Sequence, residues 1–148
     1  MYMAYDSLSK PMQNFLNGLK ASHESEHFYR NRYEKQDQLD SKKKYPSAIH
    51  PIVRTHPVTG NKILFVNWTY TKKIEGLEES ESNEILSKIF EHQSRLDLTC
   101  RYTWSENNVA IWDNRSVIHY AIADFFPGRG LGHERIMDRI AVLGDRPY

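Results

Sequence analysis

With 148 residues, the chain is long enough for one domain with its own core. Its hydrophobic content of 39% and aromatic content of 12% exclude a disordered tail, and a formal net charge of +1 gives no electrostatic case for binding nucleic acid. The single cysteine, Cys100, excludes an internal disulfide, no basic-then-apolar leader opens the sequence, and no apolar run approaches the length of a membrane span. The expectation is a cytoplasmic protein without membrane contact.

Residues 9–22 predict an amphipathic helix. Ser9 suits the N-cap, Pro11 fits the first turn, and Met12, Phe15, Leu16 and Leu19 form one apolar stripe. Residues 23–44 are dominated by charge, ending in Lys42-Lys43-Lys44, and read as a solvated helix end and an exposed loop. Ile52-Val53-Arg54-Thr55, a turn at Pro57-Val58-Thr59-Gly60-Asn61, and Ile63 to Trp68 predict a β-hairpin. A second helix is expected over 82–94, capped by Ser82 and burying Ile85, Leu86, Ile89 and Phe90. The last third predicts strands at 109–112, 117–121 and 135–143. A polar corner at Asp113-Asn114-Arg115 and a glycine-rich loop at 127–132 separate them.

Three groups of residues could carry chemistry. Arg135 and Arg139 share one face of the last predicted strand, and their planar forks suit a carboxylate or sulfonate. The same spacing also fits the solvent face of an edge strand. His119 lies between Ile118 and Tyr120; such a residue is either a metal ligand or a hydrogen-bonded strand histidine. His23-Glu24-Ser25-Glu26-His27 matches H-E-x-x-H, which on one helix places two imidazoles and a glutamate base about a zinc ion, as in metallopeptidases. A very polar stretch is a poor setting for such a cleft.

The order of features is more informative than any one of them. Trp112-Asp113-Asn114-Arg115, His119-Tyr120-Ala121, Asp124, Arg135-Ile136-Met137-Asp138-Arg139 and Gly144-Asp145-Arg146-Pro147 follow one another. Upstream stand Ala4-Tyr5-Asp6-Ser7-Leu8-Ser9, His56-Pro57-Val58-Thr59-Gly60 and Leu64-Phe65-Val66-Asn67. In this order the chain resembles the C-terminal part of the taurine dioxygenase (TauD/TfdA-like) family, including its fungal alpha-ketoglutarate-dependent sulfonate dioxygenases. The resemblance implies a mainly β fold with flanking helices, forming part of a double-stranded β-helix, or jelly roll, of the clavaminate synthase-like kind. It also implies Fe(II) with 2-oxoglutarate as co-substrate, and oxidation of a small sulfonate with release of sulfite, succinate and CO2. His119 matches the distal iron-ligand histidine, Arg135 the arginine that holds the far carboxylate of 2-oxoglutarate, and Arg139 the arginine that holds an anionic substrate head.

The family's iron site needs two histidines and a carboxylate, with a His-x-Asp or His-x-Glu pair ahead of the distal histidine. Two residues after each of the seven histidines stand Ser25, Tyr29, Ile52, Val58, Ser94, Ala121 and Arg135. None is a carboxylate. The chain is therefore expected to be a single-domain C-terminal portion, 1–148, that is inactive alone as a truncated or split fragment. Pairing with an N-terminal half, or a homo-oligomer, would cover its open strand edges.

Overall fold

The structure is a computed structural model and describes residues 1–34, 45, 47–122, 136–144 and 146–147, without the side chains of 31–34. Helix α1 (Tyr2–Asp6) is followed by α2 (Lys10–Leu16), whose Ser9 cap accepts the Met12 N–H at 3.4 Å. The buried Gln13 amide reaches back to the carbonyls of Tyr5, Asp6 and Leu8 at 3.0, 3.3 and 3.2 Å, tying the end of α1 to α2. Helix α2 stops well short of residue 22. Gly18 takes φ +86°, a left-handed conformation that ends the helix, and strand β1 (Lys20–His23) starts at once. The expected apolar stripe is split accordingly, with Leu16 fully buried and Met12 and Phe15 exposed.

Strand β1 is the centre of a three-stranded antiparallel sheet. Strand β2 (Ala48–Pro51) pairs on one side, with His50 opposite Ala21, and strand β5 (Thr71–Ile74) on the other, with Ile74 opposite the same alanine. A register shift between Ser22 and His23 brings His23 opposite Thr71. Strands β3 (Val53–Thr55) and β4 (Lys62–Leu64) form the predicted hairpin. Gly60, at φ +72°, closes its turn by donating to the His56 carbonyl at 2.9 Å. The second hairpin strand ends at Leu64 rather than Trp68, because the Asn67 side chain bends the backbone by accepting the Thr69 and Tyr70 N–H groups at 3.1 and 2.9 Å.

Helix α3 (Glu26–Glu34) occupies part of the polar stretch; residues 35–44 lie outside the described residues. This arrangement removes the zinc-peptidase geometry, since His23 sits on β1 and His27 on α3 rather than on one helix. Helix α4 (Glu79–Gln93) begins before the expected Ser82. Glu78 and Glu81 form a reciprocal capping box. Ser82 is instead fully buried, and its hydroxyl accepts the Ile74 N–H at 2.8 Å, joining α4 to β5. The core lies between these elements and includes Ala4, Leu16, Ala21, Ile52, Val53, Leu64, Val66, Ile74, Leu86 and Ile89. A side chain such as Leu16 or Ile74, buried completely, contributes about 1.5–3 kcal/mol through the hydrophobic effect.

The last third departs most from expectation. After one 3-10 turn at Leu96–Leu98, the described residues contain no helix or strand. Strands are thus not formed at 109–112, at 117–121 or over 136–143, while the glycine-rich loop and Arg135 lie outside the described residues. The physical reason is visible in the exposure of the side chains that should be buried. Ile111 is 94% exposed, Ile140 93%, Val142 94% and Leu143 99%. Extended segments of this kind become strands only when a ladder partner and an apolar layer receive them.

Removing the Ser82 hydroxyl tests the α4–β5 joint. Ser82→Ala leaves the buried Ile74 N–H without an acceptor and is expected to lower unfolding free energy by about 1–3 kcal/mol in urea denaturation.

Candidate active site

A cavity of about 300 Å³ opens where the body of the fold meets the irregular last third. His23 and His50 line it from the three-stranded sheet, Glu24 from just past the end of β1, Phe65, Asn67 and Tyr70 from the segment after β4, and Asn114, Arg115, Val117 and Ile118 from the other side. The two histidines meet edge to face with ring centroids 5.2 Å apart, and Phe65 stands 6.1 Å from His23 and 5.7 Å from His50. Beneath Phe65, at 5.1 Å, lies the guanidinium of the buried Arg54.

The sheet also gives His23 a polar neighbour. Thr71 Oγ1 accepts the Asn67 N–H at 2.9 Å and hydrogen-bonds with His23 Nδ1 at 3.3 Å. Burial pushes the His23 pKa down to about 4, assisted by the neighbouring His50. His50 is lowered as well, by burial and by the charges of Arg146 and Arg54. Tyr70 is raised by burial and by Tyr29, and the charge of Arg139 opposes that rise. Arg139 and Arg146, on the irregular C-terminal segment, therefore act electrostatically on the groups lining this cavity.

A latch closes the far wall. His56 is buried beside the hairpin turn, and its Nδ1 accepts the Val58 and Thr59 N–H groups at 3.3 and 3.2 Å. Its proton is therefore on Nε2, which donates to Asp113 Oδ2 at 3.0 Å. Arg115 grips the same carboxylate through Nε and a terminal nitrogen at 2.8–3.1 Å, and its backbone N–H adds a bond at 2.9 Å. Arg115 and His56 together hold the Asp113 carboxyl well below the usual carboxylate range. No sequence signal pointed to this contact, which spans 57 residues of chain.

The three residues singled out from the sequence are distributed as follows. His119 is exposed, six residues beyond the latch, with its ring centroid 4.7 Å from Trp112 and its Nε2 3.2 Å from Asn114 Oδ1. Arg139 is exposed, and its charge reaches Tyr70. Arg135 lies outside the described residues. Among the described residues, no group of three His, Cys, Asp or Glu side chains could hold a metal ion. The residues described do not by themselves fit an iron centre, because His119 has an indole and a carboxamide beside it rather than a second imidazole and a carboxylate.

Two expected outcomes follow from this geometry. His23 binds a proton less readily when folded than when unfolded, so stability is full above its ordinary value of 6.5 and falls as pH drops from there toward 4. Thermal melting across that range is expected to show a declining Tm, and His23→Phe should flatten the decline. Asp113→Asn keeps the shape of the latch but removes its charge, and is expected to cost about 1–3 kcal/mol in the same denaturation assay.

Comparison with known proteins agrees with the order of residues. Residues 1–141 match the family described as taurine catabolism dioxygenase TauD, TfdA family. The chain is 40% identical over 124 residues to an alpha-ketoglutarate-dependent sulfonate dioxygenase of Saccharomyces cerevisiae, covering 82% of this chain and 29% of that protein. It is 30% identical over 152 residues to an alpha-ketoglutarate-dependent sulfate ester dioxygenase of Pseudomonas putida, covering 97% of this chain and 48% of that protein. A crystal structure of a taurine dioxygenase from Burkholderia xenovorans superposes with a TM-score of 0.57 at 30% identity, over 70% of this chain and 32% of that one. The chain thus spans less than half the length of these relatives, and over the part it spans, it belongs to the TauD/TfdA family of dioxygenases.

Proposed function

We propose that the chain provides the second half of an Fe(II)- and 2-oxoglutarate-dependent dioxygenase that oxidises a small sulfonate, with release of sulfite, succinate and CO2. The observation that carries this reading is the family match over residues 1–141, the span within which His119, Arg135 and Arg139 lie. His119 gives one imidazole to the iron site, whose His-x-carboxylate pair comes from outside these 148 residues. Arg135 grips the far carboxylate of 2-oxoglutarate, and Arg139 the anionic head of the substrate, each using the two-pronged geometry that a guanidinium offers an oxyanion. The relatives' names, covering sulfonate and sulfate ester dioxygenases, support an anionic head. In the completed domain, residues 109–112, 117–121 and 135–143 would be strands of a double-stranded β-helix. A partner polypeptide would cover the apolar side chains that stand exposed at Ile111, Ile140 and Val142.

A second reading, that the chain is an inactive fragment, is favoured by the lack of any three-ligand group among the described residues. One experiment separates the two. The chain is expressed alone, and also together with the portion of the Saccharomyces cerevisiae relative that lies outside the match. Succinate formed from 2-oxoglutarate is then measured with Fe(II) and a small alkyl sulfonate. The expected result is no turnover by the chain alone and turnover by the pair that His119→Ala abolishes. Arg139→Ala should raise the KM for the sulfonate about 10- to 100-fold, the equivalent of one charged hydrogen-bonded contact. Turnover that survives His119→Ala overturns the assignment of the ligand, and a pair that assembles without turnover favours the inactive reading.

A further inference from the structure

The body of the fold reaches the arm through a side chain that lies outside the cavity. His56 is buried at the foot of the hairpin turn, and none of residues 56–61 lines the cavity. The turn saturates one ring nitrogen. Nδ1 accepts the Val58 and Thr59 N–H groups, and Gly60 donates to the His56 carbonyl at 2.9 Å. The clamped ring has one N–H left, aimed at Asp113 Oδ2. What it holds there is a unit rather than a single residue. The Asp113 carboxylate takes the Arg115 guanidinium and backbone N–H. Its carbonyl accepts the Ser116 and Val117 N–H groups at 3.0 and 3.1 Å and the Ser116 hydroxyl at 3.3 Å. Residues 113–117 are therefore tied to one another. Asn114, Arg115, Val117 and Ile118, which line the cavity, belong to this unit or follow it directly. A second tether, the Met1 amino group on the Ser116 carbonyl at 2.9 Å, is a single bond from a rotatable group, which holds a position without fixing a direction.

We propose that His56 is a positioning residue for the candidate active site: through Asp113 it sets where the wall of residues 114–118 stands against the sheet, so that a hairpin turn outside the cavity governs the cavity's width. The two ring nitrogens have separate tasks. Nδ1 belongs to the turn and Nε2 to the arm. A rotation of the ring that abandons the turn amides also re-aims the bond to Asp113, so the direction of the arm is inherited from the hairpin. Among the described residues, no strand ladder in the arm corrects an error in that direction. The bearing on turnover rests on the dioxygenase reading. A wall displaced by about 1 Å misplaces what the cavity holds, and a misplacement of that size caused by a remote residue costs roughly 100-fold in rate.

Two substitutions separate the tasks. In His56→Asn the short carboxamide oxygen still accepts the turn amides, as in an Asx turn, but no donor reaches Asp113. In His56→Gln the longer carboxamide still offers Asp113 an N–H, and the turn amides lose their acceptor. Backbone ¹⁵N order parameters of the ¹⁵N-labelled full chain read the result. Residues 114–118 are expected near about 0.85 in the wild type and below about 0.6 in His56→Asn, with β1 and β3 unchanged. His56→Gln is expected to keep the arm ordered while lowering Tm. A purely structural histidine would loosen body and arm together in both variants. In the chain assembled with the remaining portion of the Saccharomyces cerevisiae relative, kcat for succinate formation is expected to fall about 10- to 100-fold with His56→Asn and to stay near wild type with His56→Gln. Arm order that His56→Asn leaves intact overturns the proposal, as does arm order lost equally in both variants. If His56→Asn does not fold, Asp113→Ala breaks the bond from the arm's side with the turn intact, and a wall that stays ordered there overturns the proposal as well. Failure of the dioxygenase reading silences turnover in wild type and variants alike and leaves the order parameters unchanged.

Discussion

The hydrogen bond between His56 and Asp113 is the constraint on which the arrangement of the chain depends. On one side of it lies a folded body, two small antiparallel sheets with helices packed on them; on the other lies an irregular arm that carries His119. The arm forms no strand ladder among the described residues; this contact and the bond that the Met1 amino group donates to the Ser116 carbonyl at 2.9 Å tie it to the body. A buried imidazole, its acceptor nitrogen saturated by two turn amides, offers one donor in one direction, and the Asp113 carboxylate meets it while also neutralising Arg115. Because the imidazole can point its proton only one way, the contact sets an orientation as well as a distance. It places Asn114 and Arg115 along the wall of the cavity rather than loose in solvent.

Parts of this organisation were legible in the sequence. The hairpin was legible because its turn residues and flanking β-branched residues agree with each other, and Gly60 supplies the left-handed position that the turn requires. Helix α4 was legible from its apolar spacing, but its start was not, since the glutamates at 78 and 81 cap it and free Ser82 for a buried bond to β5. Strand β5 was invisible to pattern. Thr71-Lys72-Lys73-Ile74 looks like a polar turn, and it becomes a strand because its two ends are buried while its lysines face out. Strand β1 was hidden inside a helical periodicity that Gly18 cuts short.

The candidate site divides along the same line. His119, Arg135 and Arg139 were singled out by their order along the chain, and the roles proposed for them rest on that order rather than on contacts among the described residues. The latch and the His23–His50 pair could not be singled out in this way, because each joins residues distant in the chain with no motif between them. The H-E-x-x-H match shows the reverse error. Its spacing is correct for one helical face, yet a strand end and a helix start divide it, and spacing has chemical meaning only within a single element.

The position of β1 at the centre of its sheet also bears on how the chain is made. Both neighbours of β1 come later in sequence, and β5 ends at Ile74, about fifty residues after His23. At a synthesis rate of roughly 5–20 residues per second, both edges of β1 wait for seconds before the sheet can close around them. Pairing across such separations is slow to nucleate, since a long loop must be ordered before the contacts repay it. The polar run of 23–44 emerges during that wait, directly behind β1, and its charge disfavours association of the open strand with other nascent chains.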